Sequence, residues 1–190
     1  GTVLMTGLDA PEQMTDISLQ IDGALPAALM VIDSPPLGYA SKLGLKPSQA
    51  RGTAETTLQM RFPPLADLKL DQIDVKAHGK LSGVSLTGAV FGQDLTDGDL
   101  TLDVDTKALN AKGQAGIGGV PASFVWKEVF SGRPYRSRYK VHAVVEEDKR
   151  GIFGLTFPPF TPRYITGPAT ADIDLTIVNS TLSTLQAEVD

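Results

Sequence analysis

The chain has 190 residues, 42% of them hydrophobic and 21% charged, which is too apolar for disorder and long enough for one or two cores. A formal charge of −5 and a sequence pI near 5.0 argue against a nucleic-acid binder, which needs a basic patch. Cysteine is absent, which excludes disulfides and thiol chemistry, and no apolar run approaches the roughly 20 residues of a membrane-spanning helix.

In chain order, the recurrent signal is an alternation of apolar and polar residues, which puts one set of side chains on each face of a strand. It begins at Ile17-Ser18-Leu19-Gln20-Ile21-Asp22. It returns at Gln72-Ile73-Asp74-Val75-Lys76-Ala77-His78, Val84-Ser85-Leu86-Thr87 and Asp99-Leu100-Thr101-Leu102-Asp103-Val104-Asp105. Ala171-Asp172-Ile173-Asp174-Leu175-Thr176-Ile177 repeats it near the end. Turn residues at Asp22-Gly23, Ser82-Gly83, Asp97-Gly98, Asn110, Gly118-Gly119 and Asn179-Ser180 divide these runs. Short strands closed by tight turns predict an antiparallel meander. The expected fold is therefore mostly β, a curved meander sheet shaped as a groove, with one or two short helices.

Two segments depart from the alternation. Residues 34–44 open on Ser34-Pro35 and close on Gly44, predicting a short helix, and 147–155 predict a weaker one beginning near Asp148. Each precedes a similar strand start, at Gly52 and at Gly167, 115 residues apart (167 − 52). This spacing predicts a repeat: 1–33 ends one unit, 34–146 is a whole unit, and 147–190 starts the next in the same continuous sheet. The pattern is still running at Gly1 and at Glu188-Val189-Asp190, so the chain is expected to be part of a longer protein.

Few residues invite chemistry. His78 and His142, the only histidines, fall on polar strand faces. Gly116-Ile117-Gly118-Gly119 leads into Val120-Pro121 and lacks the helix start that a phosphate cradle needs. Asp94, Asp97, Asp99, Asp103 and Asp105 are the right ligand type for calcium but lack the spacing of a calcium loop. Arg133, Arg136, Arg138 and Lys140 read as one solvated strand face. No catalytic residue, cofactor or metal is expected, and the chain is not expected to be an enzyme.

The apolar face carries the functional reading. Ile73, Val75, Val84, Leu86, Leu100, Leu102, Val104, Ile117, Phe124 and Trp126 all point to one side under this pattern. Two short helices cannot cover so wide a face. Either the sheet curls upon itself or part of the face is left for something apolar: a ligand, a membrane or a partner.

Leu81-Ser82-Gly83-Val84, the run Leu95-Thr96-Asp97-Gly98-Asp99-Leu100-Thr101-Leu102-Asp103-Val104-Asp105, Leu109, Gly113 and Ala115 to Phe130 form a recognisable pattern. With Asp148-Lys149-Arg150, Gly154-Leu155 and Ile165-Thr166-Gly167-Pro168, it resembles the AsmA-like family of Gram-negative bacteria, in its YhdP-related branch. The likeness covers roughly 34–178 and consists of strand and turn residues, with no catalytic signature. It implies a periplasmic segment of a protein anchored in the inner membrane by parts outside this chain. It also implies a groove along which phospholipid acyl chains pass between inner and outer membranes, as partners of the ten apolar residues above. The rival expectation is a structural or docking module of an envelope complex, with its apolar face sealed as a core.

Overall fold

The structure, a computed structural model, describes residues 1–9, 13–35, 38–42, 44–90, 92–130, 137–153, 156–158, 161–178 and 181–189. Ten strands form a single sheet in sequence order: β1 Thr2–Thr6, β2 Met14–Ala24, β3 Ala50–Phe62, β4 Asp74–Val90, β5 Gln93–Asp105, β6 Ala108–Ile117, β7 Val120–Val129, β8 Ser137–Val145, β9 Ala169–Val178 and β10 Thr181–Val189. Every pairing is antiparallel between consecutive strands. The sheet does not close, because β1 and β10 each pair on one side only. The expected meander is the observed fold.

The strands are longer than the turn residues imply. Asp22-Gly23 lies inside β2, Asn110 inside β6, and Ser82-Gly83 and Asp97-Gly98 inside β4 and β5. The last two pairs sit where the β4–β5 register shifts, between Leu81 and Val84 and between Val84 and Leu86. Asp97 there has φ 50°, a conformation that asparagine and aspartate tolerate. These are β-bulges, which bend a strand without ending it. The turn expected at Asn110 instead precedes Ala108, where the Asp105 carboxylate accepts from the Lys107 and Ala108 amides at 2.7 and 2.8 Å. Gly118-Gly119 is a hairpin turn as expected; both residues have positive φ, which the favoured two-residue turn requires. Asn179-Ser180 lies outside the described residues.

Bulges let the sheet curl. Four strand steps separate β3 from β7, about 19 Å on a flat sheet at ~4.8 Å per step. Yet Phe130, at the end of β7, packs against the cluster of Leu58, Ile73 and Val75 on and beside β3 and β4, and one cavity is lined by residues from β2 to β8. Only a strongly curved sheet brings these side chains together.

The main helix is not where the sequence placed it. Helix α1 spans Leu25–Asp33, upstream of the expected 34–44, where only the single turn α2 Tyr39–Lys42 forms; 36–37 and 43 lie outside the described residues. Pro26 in the first turn starts α1, where its missing N–H costs nothing. Ser34 ends it, with Oγ donating to the Met30 carbonyl at 2.9 Å. Asp33 accepts from both the amide and the hydroxyl of Ser41 at 2.7 Å, tying α1 to α2. Those two bonds, the side-chain one foremost, hold the Asp33 carboxyl below its ordinary value. The second expected helix is a 3-10 segment, Glu147–Phe153, and 154–155 lie outside the described residues.

Leu25 and Leu29 of α1 are buried against Ala50, Ala54, Val84, Leu95 and Ala115. The helix thus caps one end of the curled sheet, beyond the last residues of β2. Glu147–Phe153 occupies the equivalent connection between β8 and β9, at the same end. It is fixed by Arg150, which is buried and donates through Nη1 to the Ile165 carbonyl at 2.7 Å and through Nη2 to the Gly167 carbonyl. Glu147 accepts from the Gly167 amide at 3.1 Å.

Candidate apolar groove

Strand register fixes which residues share the concave face. Reading partner to partner from β2 to β9, one row is Ile21, Thr56, Gly79, Leu102, Ala111, Trp126, Tyr139 and Leu175. The row on its α1 side is Gly23, Ala54, Leu81, Leu100, Gly113, Phe124, Val141 and Ile173. On the other side it is Leu19, Leu58, Ala77, Val104, Leu109, Glu128, Ser137 and Ile177. Every member lies inward because alternate residues of paired strands point the same way.

These rows enclose a cavity of about 420 Å³, lined by β2 to β8 and by α1. Its wall is apolar: among the lining residues, only Thr56, Trp126 and Tyr139 carry a polar side-chain atom. Nine of the ten expected groove residues line it, namely Val75, Val84, Leu86, Leu100, Leu102, Val104, Ile117, Phe124 and Trp126. Ile73 does not; it is buried with Leu58 and Val75 at the end away from α1. Leu86, Leu100, Leu102, Val104, Phe124 and Trp126 are half-buried despite facing inward. A face packed as an ordinary core would bury them.

The space exists because the floor is built of small residues. Ala77 and Ala111 line the cavity among larger neighbours in the rows above. In the sequence, Ala77 belongs to an alternating run, whereas nothing local marks Ala111 as a wall position. Size was the signal that would have located the void.

The middle row is aromatic where it crosses β7 and β8, with polar support behind it. The rings of Trp126 and Tyr139 stack 12° from parallel, with centroids 5.9 Å apart. Behind them lies Glu128, which is buried and accepts from Ser137 Oγ and, at 3.3 Å, from Trp126 Nε1. Burial drives the Tyr139 hydroxyl above its ordinary 10.0; the Ser137 hydrogen bond opposes this and the Glu128 carboxylate adds to it. A raised folded value favours the neutral phenol. The resulting contribution to stability is complete below pH 10.0 and is lost as pH rises through the folded value. The tyrosinate absorbance of the protein minus that of Tyr139→Phe is expected to titrate above 10.0; titration at or below it would contradict this burial.

The convex face is a lattice of charges. Asp174 takes a two-pronged interaction from Arg138, at 3.0 Å through Nε and 2.6 Å through Nη2, while Lys140 Nζ lies 3.4 Å away. The Arg138 hydrogen bond is the main cause that holds the Asp174 carboxyl below its usual range. The expected solvated basic face is thus neutralised across the strand pair, while Arg133 and Arg136 lie outside the described residues. His78 and His142 lie on this face, with Nδ1 atoms 2.7 Å from Asp103 and 2.8 Å from Asp172.

Three of the five aspartates weighed for calcium accept hydrogen bonds from the backbone. Asp94 accepts from the Gly88 amide at 2.8 Å, Asp99 from Gly83 at 3.3 Å, and Asp105 closes the β5–β6 turn. Among the described residues, no three metal-ligating side chains cluster, and no helix is long and apolar enough to cross a membrane. The arrangement offers apolar contact along a slot. No protein-family model, curated protein or solved structure matches this chain.

Proposed function

We propose that the chain is a segment of a periplasmic envelope protein whose β-groove carries or shields phospholipid acyl chains between the inner and outer membranes. One observation carries this reading: inward-facing leucines, valines and aromatics line an unfilled apolar cavity and are only half-buried. Apolar surface left open on that scale is costly unless something apolar covers it. A hydrocarbon chain recovers about 0.8 kcal/mol per methylene moved from water to such a wall, and needs no catalytic group. The resemblance of residues 34–178 to the AsmA-like family supports the same occupant and the periplasmic setting. Anchoring in the inner membrane would belong to parts of the protein outside this chain.

The test is purification without detergent, followed by native mass spectrometry and lipid extraction. The expected result is a bound lipid mass that disappears on denaturation. A protein that is empty and takes up no added phospholipid contradicts the reading, and leaves the docking module as the better account.

A further inference from the structure

We propose that β1 is a self-pairing edge: two copies of the chain join antiparallel along Thr2–Thr6, about a two-fold axis at Leu4 perpendicular to the sheet. The inference is independent of what occupies the groove.

Three observations carry it. Among the described residues β1 pairs with β2 alone, so the sheet leaves the backbone N–H and C=O groups of its other edge unsatisfied. A charge, a proline or a bulge usually protects such an edge. Thr2-Val3-Leu4-Met5-Thr6 has no charge or proline, and its register with β2 is unbroken. Finally, β1 exposes apolar side chains on both faces. Leu4 is 55% exposed on the polar convex face, opposite Asp16, which lies 3.7 Å from Arg61. Val3 and Met5, opposite Ile17 and Thr15 on the concave face, are 63% and 48% exposed.

The sequence of β1 selects the partner. Residues directly opposite in an antiparallel pair point to the same face, and an axis perpendicular to the sheet keeps concave with concave. Only the register centred on Leu4 meets this condition and pairs all five residues. It sets Leu4 against Leu4, Val3 against Met5 and Thr2 against Thr6, like against like with no repelling charge. Such a contact closes at two copies, whereas β1 against β10 of another copy would repeat head to tail. Both grooves then open on the same side of one continuous sheet, with Val3 and Met5 of each copy forming the concave seam.

The chain has no cysteine, so single-cysteine variants report the register. Leu4→Cys is expected to form a disulfide-linked dimer on mild oxidation, because the two positions face each other at about 4.5–5.5 Å between Cα atoms. Val3→Cys is expected not to, because its two positions lie roughly 8 Å apart, beyond disulfide reach. In sedimentation velocity the intact chain is expected to pass from monomer to dimer as concentration rises. Leu4→Lys is expected to weaken the dimer at least about fivefold, and an equal mixture of Leu4→Lys and Leu4→Glu to restore it. A chain that stays monomeric or grows beyond a dimer overturns the proposal. So does a Val3→Cys variant that links as readily as Leu4→Cys, or a mixture that fails to recover the dimer. None of these results bears on the groove.

Discussion

Ala77→Phe is expected to abolish acyl-chain binding, by at least about tenfold, while the protein stays folded. Ala77 lines the cavity, and its partners Leu58 and Val104 flank it across β3 and β5. A phenyl ring there enters the void instead of displacing packed atoms. Filling an apolar void normally stabilises, by up to about 2 kcal/mol for an aromatic side chain taken from water. The expected signature is therefore a divergence, with binding lost and the thermal midpoint unchanged or raised. Calorimetric binding and thermal unfolding on the same sample read both. A variant that folds and still binds would show that the occupied space is elsewhere. Ala111→Leu repeats the test from β6, where the residue faces Leu102 and Trp126.

The second large effect is on stability. Gly113→Ala is expected to destabilise by about 3 kcal/mol, at the upper end of overpacking costs, and to lower the midpoint by roughly 6–12 °C. An added Cβ would lie 2.1 Å from the Asp99 carbonyl oxygen and 2.9 Å from Leu100 Cα. Both are backbone atoms of the neighbouring strand, so neither can rotate away. Gly113 sits opposite Leu100 in the β5–β6 ladder, a few residues from the β5–β6 register shift between Thr96 and Asp99. The strands must approach closely there for the sheet to curl. Gly23→Ala is the control, because a Cβ at Gly23 meets nothing within 4 Å. Near-neutral behaviour at Gly113 would mean that the β5–β6 approach is looser than described.

Much of the fold was legible because two-residue periodicity is a local signal that survives without tertiary information. Ile73 to Ala77, Leu100 to Val104 and Ile173 to Ile177 each fixed a strand and its inward face. What the turn residues could not reveal was whether a Gly-containing pair reverses the chain or only bulges it. Ser82-Gly83 and Gly118-Gly119 look alike in sequence, yet one bends β4 and the other closes a hairpin. The difference lies in the partner strand, which is remote information.

Helix α1 was missed for a related reason. Leu25-Pro26-Ala27-Ala28-Leu29-Met30-Val31-Ile32 is an almost unbroken apolar run, and short runs of this kind do not separate helix from buried strand. Pro26 lies at its start, but Ala24 ahead of it carries no capping side chain, whereas Ser34-Pro35 has the form of a cap followed by proline. The site was half legible. Hydrophobicity named nine of the wall residues, but the void also depends on Ala77 and Ala111, whose small size matters only once the sheet curls around them.

The central claim is that an apolar chain lies in this groove, and the protein carries its own reporter there. Trp126 is the single tryptophan, and it lines the cavity. Fluorescence titration with a fatty acid brominated along its chain measures contact with that indole directly. The account predicts saturable quenching of Trp126 emission, relieved by unbrominated fatty acid and absent in Ala77→Phe. Emission that is unchanged by the brominated chain, or quenched equally in Ala77→Phe, would contradict it.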